Sequence, residues 1–383
     1  MRHETQVHLI ERVLSMLDAG ETDMVESESR IPTSVYTDTE RFGQERRVLF
    51  RQHPLMVGHR SQVAEPGDYF THDCDGVPLL VVRGTDGVVR AFLNVCRHRG
   101  TRLVNPGSGC KRRLVCPYHA WSYTPEGALD SLPDAVGFPN LDRSSRGLVE
   151  LPLVEASGFI WVCPTPESTP DFDAILAPLA ADFDAMRMAD HVVYEPKTLV
   201  RKLNWKLVFD VFLEAYHLKY AHKRSIYPLF FDNVGLFEQL GPHQRNLFPK
   251  RTITALRDTD PAEWSLRHHS NILYAIFPNI LMLIQPDHVS VLAVYPKAID
   301  ETRLETYTLV RETPDTDKAR AYWDKNRQIL YSAIEEDFAL GSSIQEGLSS
   351  GANSELLLGR YEQSLAWFHG NIETTLGGIA TGG

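Results

Sequence analysis

The stretch NVCRHRGTRLVNPGSGCKRRLVCPYHAWSY, residues 94–123, contains two short Cys–His pairs and is the most informative part of the chain. The pairs are Cys96-x-His98 and Cys116-x-x-His119, and 17 residues separate them. Thiolates hold sulfide-bridged iron, and imidazole also suits iron, so the pattern predicts a [2Fe–2S] cluster with cysteines on one iron and histidines on the other. Neutral imidazoles reduce the negative charge of such a cluster, which raises its reduction potential.

A zinc site is the competing interpretation of these pairs. Zinc sites usually pair Cys with Cys and His with His at spacings of two to five residues, whereas each pair here mixes the two types. A chance origin would require two matched pairs to arise by accident. The other cysteines have no ligand partner at short spacing, and an odd total of five argues against a disulfide framework. We expect ordinary thiols at Cys74, Cys110 and Cys163.

Short strands and turns dominate the sequence around the cluster motif, from about residue 55 to 163. PLLVVRG (78–84) and VVRAFLN (88–94) are separated by a turn that ends in Gly87, which predicts a hairpin. GLVELPLVEASGFIWVC (147–163) predicts two more strands. Frequent Pro and Gly residues suit a small all-β domain.

The rest of the chain mixes helices and strands. Residues 1–25 have the spacing of an amphipathic helix, and 164–180, rich in Pro and acids, suggest a connection between domains. Strands followed by packed helices indicate an α+β layout. The predicted elements are a helix at about 204–223, strands over 271–296 with turns at Pro278-Asn279 and Pro286-Asp287, a strand at 303–312, and helices at about 318–348 and 354–376.

Length and charge limit the domain count and the class of partner. We expect an N-terminal helix and lead-in (1–40), an iron–sulfur domain (41–165) and a second metal domain (166–383). A net charge of −11 argues against nucleic acid as a partner and fits either solubility or docking of a basic redox partner. No run of about 18 apolar residues predicts a membrane span, and the N-terminus lacks a signal-peptide core, so we expect a cytoplasmic protein with no membrane partner.

The segment NWKLVFDVFLEAYHLKYAH, residues 204–222, indicates a second metal site. Helical spacing can place Asp210, Glu214 and His217 on one face. His222 is five residues beyond His217, which breaks the helical phase and predicts a bulge or a helix end. Two histidines and a carboxylate form the facial triad of non-haem Fe(II) oxygenases. Buried structural histidines are the ordinary alternative.

Together these motifs resemble those of the Rieske non-haem iron oxygenases, in the alpha subunits of ring-hydroxylating and quaternary-ammonium oxygenases. The resemblance rests on C-R-H-R-G, on C-P-Y-H-A-W and on the N-W-K … E-x-x-H-x-x-x-x-H segment, and it covers most of the chain from about residue 40. It implies a Rieske domain, with the [2Fe–2S] cluster on the two Cys–His pairs, and then a catalytic domain of the helix-grip type. It also implies mononuclear Fe(II), O₂ as co-substrate, and NAD(P)H electrons through a separate flavin/iron–sulfur reductase or ferredoxin.

The same resemblance implies that His217 and His222 bind the mononuclear iron with an acid from a C-terminal helix. The matching segment is SAIEEDFALGSSIQEGL, residues 332–348, in which we expect Asp337 to be the third ligand. Glu336 is the alternative ligand, and a solvated acidic helix face is the ordinary interpretation.

Relatives of this type form homotrimers, or trimers of trimers, in which the cluster of one subunit reduces the iron of its neighbour. By resemblance, Glu214 bridges a cluster histidine and an iron histidine, and Asp210 supports it. Most of the family has Asp at this position, whereas Glu occurs in relatives that resemble the oxygenases of choline, carnitine and betaines. An ordinary helix partner is the other reading of Glu214.

Glu214 therefore favours a quaternary ammonium substrate that is hydroxylated or oxidatively demethylated. Aromatic faces attract such cations, and the candidates are Phe212, Tyr216, Tyr274 and Phe277, each of which could equally be core packing. The alternative is cis-dihydroxylation of an aromatic ring. An electron carrier or sensor without oxygenase activity is an alternative of another class, and a zinc-binding interaction module would be colourless.

Overall fold

The structure is a computed structural model that describes residues 1–377, and it divides into two compact units. The smaller unit is formed by Arg47–Leu176 and Arg187–Val192. The larger unit is formed by Met1–Arg46, Ala177–Met186 and the chain from Val193 onward. No helix within the described range combines the length and the apolar character needed to cross a membrane.

The smaller unit is built from three antiparallel sheets, as predicted for the region around the cluster motif. The hairpin is confirmed, because Val77–Arg83 pairs with Val89–Leu93 and Gly87 adopts a positive φ of 79° in the turn. The sheets contain, in strand order, Glu150–Leu151, Val89–Leu93, Val77–Arg83, Asp68–Cys74 and Ser108–Cys110; then Leu153–Ala156, Phe159–Val162 and Leu55–His59; and then Leu114–Val115, Ser122–Tyr123 and Leu129–Ser131.

One apolar core of the smaller unit supports both cluster loops. Cys96 and Cys116 are buried in it together with Trp121 and Tyr123. None of the described cysteines forms a disulfide. The two thiols therefore belong to the packed interior, which fixes the loops that carry the histidines. The short helical turns of this unit are Val48–Gln52, Arg60–Val63, Ala135–Gly137, Arg143–Arg146 and Met188–Asp190.

A seven-stranded antiparallel sheet forms the centre of the larger unit. Its predicted meander is confirmed, since strands end at Ile276 and Ile284 and the chain turns at 278–279 and 286–287. The central strand Ile280–Ile284 is buried along its whole length, as expected for a sheet covered on both faces. The strand order is Val192–Arg201, Glu301–Val310, Val289–Ala298, Ile280–Ile284, Ser270–Ile276, His243–Pro249 and Leu236–Leu240.

The long helix Asp317–Ser349 lies over this sheet. Thr316 caps its N-terminus by accepting a hydrogen bond from the Ala319 amide (3.1 Å), and the Tyr331 hydroxyl contacts Thr306 of the sheet (2.8 Å). The α+β prediction is therefore confirmed. The other helices are His3–Ala19, Ser34–Thr37, Thr39–Arg47, Phe172–Ala185, Trp205–Asp210, Leu218–Ala221, Leu266–His269 and Gln363–Gly377, with 3₁₀ turns at Tyr227–Leu229, Arg251–Asp258 and Pro261–Glu263.

Two helix predictions need correction. The segment 204–223 forms two short helices, Trp205–Asp210 and Leu218–Ala221, because a tertiary turn replaces the regular helix between them. Within 354–376, the first residues form the strand Glu355–Leu358, which pairs with Ser29–Pro32, and only Gln363–Gly377 is helical. Pairing with a distant strand is a tertiary effect that helical periodicity does not reveal.

Candidate metal centres

The two cluster loops have the same backbone geometry. The Gly100 amide donates to the Cys96 carbonyl (3.0 Å), and the Ala120 amide donates to the Cys116 carbonyl (3.1 Å). Gly100 and Ala120 both have positive φ angles, 80° and 55°. Each loop therefore reverses within four residues of its cysteine and turns its histidine toward the other loop, and the imidazole rings of His98 and His119 lie 4.7 Å apart between centroids.

The donor atoms of these loops fit an iron–sulfur cluster. The Nδ1 atoms of His98 and His119 are buried and have no hydrogen-bond partner within residues 1–377. Buried polar atoms are normally satisfied, so two orphaned nitrogens on facing rings point to a missing ligand. Burial raises the pKa of the Cys96 thiol, and the adjacent Cys116 thiol adds to that rise. Paired thiols beside paired unsatisfied imidazoles are the donor set of a mixed-ligand [2Fe–2S] cluster.

Aromatic residues hold this donor set in place. The Trp121 indole stacks on the His98 ring at 4.7 Å with an angle of 8°, and the Tyr118 ring packs on His119 at 3.7 Å. The Tyr123 hydroxyl accepts from the Arg97 amide (3.0 Å) and lies 3.4 Å from the Cys96 sulfur. Hydrogen bonds to a ligating sulfur tune the potential of a cluster, so Tyr123 is a candidate functional residue that the sequence motif did not single out.

In the larger unit, His217, His222 and Asp337 converge on one point. One ligand atom from each lies within 4.8 Å of the others. Oδ1 of Asp337 is 2.8 Å from Nε2 of His222 and 3.6 Å from Nε2 of His217. Two imidazole nitrogens and one carboxylate oxygen facing a common centre are the ligand set of a mononuclear non-haem iron site.

The turn between the two short helices brings both histidines to this point. The Glu214 carboxylate accepts a hydrogen bond from the His217 amide (3.0 Å), just before the helix Leu218–Ala221. His222 follows that helix directly, as its break in helical phase predicted. Asp337 comes from the long helix, on the buried face that also carries Ala333 and Ile334.

A second carboxylate contacts each of these two histidines from the other side of its ring. Nδ1 of His217 is hydrogen-bonded to Glu214, and Nδ1 of His222 is 2.6 Å from Glu336. Ser225 donates a hydrogen bond of 2.6 Å to the same Glu336 oxygen. Carboxylates at Nδ1 fix the tautomer that leaves Nε2 available for metal. The geometry thus gives Glu336 an orienting position and Asp337 the position of a ligand.

The carboxylates also determine the charge preference of the site. Burial lowers the pKa of His217, but Glu214 and Asp337 outweigh it, so the net shift is upward. Burial likewise opposes the charged form of His222, yet Asp337 and Glu336 raise its pKa overall. Ser225 and His222 lower the pKa of Glu336. A site that favours a proton on its imidazoles through nearby anions also favours a metal cation in the same place.

Asp210 does not lie on a common helix face with Glu214, because its helix ends at Asp210 itself. Its carboxylate accepts a hydrogen bond from the Tyr36 hydroxyl (2.7 Å) and lies 2.9 Å from Nε2 of His369. The expectation that Asp210, Glu214 and His217 share one helix face is therefore corrected. Burial raises the pKa of Glu362, and the charges of Glu214 and Asp210 add to that rise.

A cavity of about 210 Å³ opens beside the three converging side chains. Alternation along the strands determines which residues form the floor of the cavity, since every second residue points to the same face of the sheet. Leu273 and Leu283, which are paired in register, both line it. Its other aromatic and polar lining residues include Phe212, Phe230, Phe248, Lys250, Asn271, Gln285, His288 and Ser290.

Of the four predicted cage residues, only Phe212 lines this cavity. Tyr274 follows Leu273 on its strand and therefore points to the opposite face, where its hydroxyl donates to Asp182 (2.6 Å). Phe277 is buried in the core beyond that strand. Tyr216 is 46% exposed and packs against Tyr361 and Tyr220. Sequence spacing could not reveal these orientations, because they depend on the sheet register and on the turn before His217.

Residues 53–142 match the Rieske [2Fe-2S] domain, and residues 186–378 match the ring hydroxylating alpha subunit (catalytic domain). The chain therefore belongs to the family of Rieske ring-hydroxylating oxygenases, which are non-haem iron mono- or dioxygenases with a [2Fe–2S] cluster and a mononuclear iron.

Among its relatives is the carnitine monooxygenase oxygenase subunit of Escherichia coli K12, which is 28% identical over 84% of each chain. The large oxygenase component of the naphthalene 1,2-dioxygenase system of Pseudomonas putida is 34% identical over 50% of this chain and 44% of that protein. A solved quaternary ammonium Rieske monooxygenase in complex with L-carnitine has the same fold, with a TM-score of 0.77 and 22% identity over 90% of this chain and 94% of that one.

Proposed function

We propose that this chain oxidises a small quaternary ammonium compound, by hydroxylation or oxidative demethylation, at a site formed by His217, His222 and Asp337. The observation that carries the proposal is the convergence of their ligand atoms on the wall of a cavity. Iron bound there supplies the activation of O₂. In hydroxylation, one oxygen atom enters a C–H bond and the other leaves as water, which consumes two electrons and two protons. NAD(P)H supplies the electrons through a separate reductase or ferredoxin.

The chain's own residues provide position and exclude water. His222 and Asp337 are almost fully buried, so the triad keeps its geometry and admits little solvent. Phe212, Phe230 and Phe248 line the cavity, and aromatic rings attract a cation through cation–π interaction. The similarity of this chain to a carnitine monooxygenase oxygenase subunit supports a quaternary ammonium substrate.

Hydroxylation of an aromatic ring is the second candidate. The apolar part of the wall, which includes Leu273, Leu283 and Ile329, suits a planar hydrocarbon, and the naphthalene dioxygenase relative favours it. A reductase-coupled screen of quaternary amines and aromatic compounds, read by product mass, separates the two. Oxidised amines support the first candidate and ring diols the second, whereas an iron-loaded enzyme that oxidises neither class would contradict both.

We also propose that Glu214 carries electrons between subunits of a cytoplasmic homotrimer, or of a trimer of trimers. Tyr216 and Tyr220, close to Glu214 in the chain, are 46% and 70% exposed, as expected for a surface that another subunit covers. Tyr118, beside the cluster histidine His119, is also exposed, at 54%. Both exposed surfaces suit the transfer of electrons from one subunit to the next.

The Glu214→Gln variant tests this role. The amide keeps the shape of the side chain but removes the charge at Nδ1 of His217, so turnover should fall roughly 10- to 100-fold or more while iron stays bound. The matched control is Glu346→Gln, which changes an exposed acid on the long helix. Iron content, stopped-flow oxidation of the cluster and sedimentation are measured together. Normal turnover in Glu214→Gln would remove the bridging role, and a monomer in solution would remove the trimer.

A further inference from the structure

Lys250 places an amine on the wall of the substrate cavity without a counter-ion. The residue follows the strand His243–Pro249 and lines the cavity on the same face as Phe248, two positions before it. Its backbone is held from both sides, by a hydrogen bond from its amide to the His269 carbonyl (2.8 Å) and by a bridge to Phe230. These contacts fix the direction in which the side chain leaves the backbone.

The ammonium group of Lys250 has no hydrogen-bond or ion-pair partner among residues 1–377. The cavity wall carries two carboxylates, Glu214 and Asp337, and both already contact the iron histidines. Burial lowers the pKa of Lys250, and no acid opposes that effect. A half-buried cation without a protein counter-ion is unfavourable, and an anion brought by a ligand would relieve that cost.

Asn271 offers a second donor on the wall of the same cavity. Asn271 pairs in register with Phe248. The side-chain amide of Gln285 donates a hydrogen bond to the side-chain oxygen Oδ1 of Asn271 (3.2 Å). That bond leaves the Asn271 NH₂ group as a donor on the cavity floor. An amine and an amide NH₂ on neighbouring strands suit a carboxylate, which offers two oxygen acceptors.

We infer that Lys250 recognises a carboxylate on the substrate and so selects organic acids over their neutral analogues. The inference rests on the proposed function for the reaction. Recognition of the carboxylate by Lys250 applies to an ammonium acid and to an aromatic acid alike. The carboxylate would lie against Lys250. The carbon to be oxidised would then be the part of the molecule that faces His217 and His222.

Matched pairs of ligands test the inference by binding, independently of turnover. Carnitine, glycine betaine and benzoate are each compared with their methyl esters by calorimetry on the iron-loaded enzyme. We expect the wild type to prefer acids by roughly 10- to 100-fold, the worth of a hydrogen bond to a charged group. Lys250→Met should lose that preference without changing affinity for esters, and Lys250→Arg should keep part of it.

Two further measurements distinguish a loss of carboxylate recognition from misfolding of the variant. Lys318→Met removes an exposed charge at the start of the long helix and should behave as the wild type. In the unmutated enzyme, acids should slow acetylation of Lys250, read by peptide mass, whereas esters should not. Equal binding of acid and ester to the wild type, an acid preference that persists in Lys250→Met, or acids that never protect Lys250 would overturn the inference. Acid preference without any oxidised product would instead overturn the proposed function and leave the role of Lys250 standing.

Discussion

Replacement of Glu336 by Gln should weaken iron binding at the mononuclear site without removing a ligand. Glu336 contacts Nδ1 of His222 at 2.6 Å, so its carboxylate accepts the proton of a neutral imidazole whose Nε2 faces Asp337. The amide keeps the size of the side chain, but it loses the negative charge and can turn its NH₂ group toward the ring. His222 then presents Nε2 in the wrong tautomer or at the wrong angle for part of the time.

The exposure of the two partners sets the size of this effect. A hydrogen bond to a charged group contributes about 1.5–3 kcal/mol. The His222 side chain is 1% exposed, but that of Glu336 is 40% exposed, so water screens the acceptor and replaces part of the lost bond. We therefore expect a value just below this range, about 1.4 kcal/mol, which is a tenfold loss of iron affinity.

Iron competition measures this change directly. The enzyme is dialysed against chelators of graded strength, and iron is counted per chain while the visible absorbance of the cluster serves as an internal reference. Glu335→Gln is the matched control, because the neighbouring acid on the same helix pairs with Arg201 instead. Equal iron affinity in Glu336→Gln and Glu335→Gln would refute the orienting role. Complete loss of iron in Glu336→Gln, with iron retained in Asp337→Asn, would make Glu336 the ligand.

Three further outcomes follow from contacts elsewhere in the chain. Lys206 and Glu45 form a fully buried ion pair at 2.6 Å, so Glu45→Leu should destabilise the protein by about 3–5 kcal/mol in thermal unfolding, and the double variant with Lys206→Met should recover part of that loss. His59 is buried, and desolvation lowers its pKa from 6.5 to about 4, so its share of stability is complete above about pH 6.5 and is lost as the pH falls toward 4. Urea unfolding at pH 7 and pH 5 should differ by roughly 2 kcal/mol through this residue, and His59→Gln should lack that difference. A strong chelator should remove one of about three iron atoms first and abolish oxygenation while the cluster spectrum persists, whereas an electron carrier would continue to reduce its partner.

Local chemistry explains why so much of the fold could be predicted from the sequence. The hairpin around Gly87 and the meander turns at 278–279 and 286–287 depend on residues within a few positions of each other. The strand Glu355–Leu358 depends instead on pairing with Ser29–Pro32, which lies more than 300 positions away. The residues of Glu355–Leu358 give no local signal for that pairing. Predictions failed where a distant partner, and not the local pattern, determined the conformation.

The candidate sites show the same contrast between local sequence and distant partners. Two loops with fixed local geometry carry Cys96, His98, Cys116 and His119. The spacing of these residues in the sequence was therefore enough to predict that they form one site. The cavity wall, by contrast, is assembled from alternate residues of several strands. A shift of one residue moves a side chain to the other face, which is why Tyr274 was expected where Leu273 is found.

The distribution of charge along the cavity connects the two proposals. Around the proposed iron position, Asp337, Glu214 and Glu336 contact the two histidines, and three carboxylates exceed the charge of a divalent cation by one. Elsewhere on the cavity wall, the amine of Lys250 has no partner among the described residues. A molecule that carries both a cation and a carboxylate complements both groups of charges, whereas a neutral aromatic ring complements neither. Electrostatic complementarity therefore favours a betaine-like acid over a hydrocarbon, and it predicts that oxidation takes place on the ammonium side of the molecule.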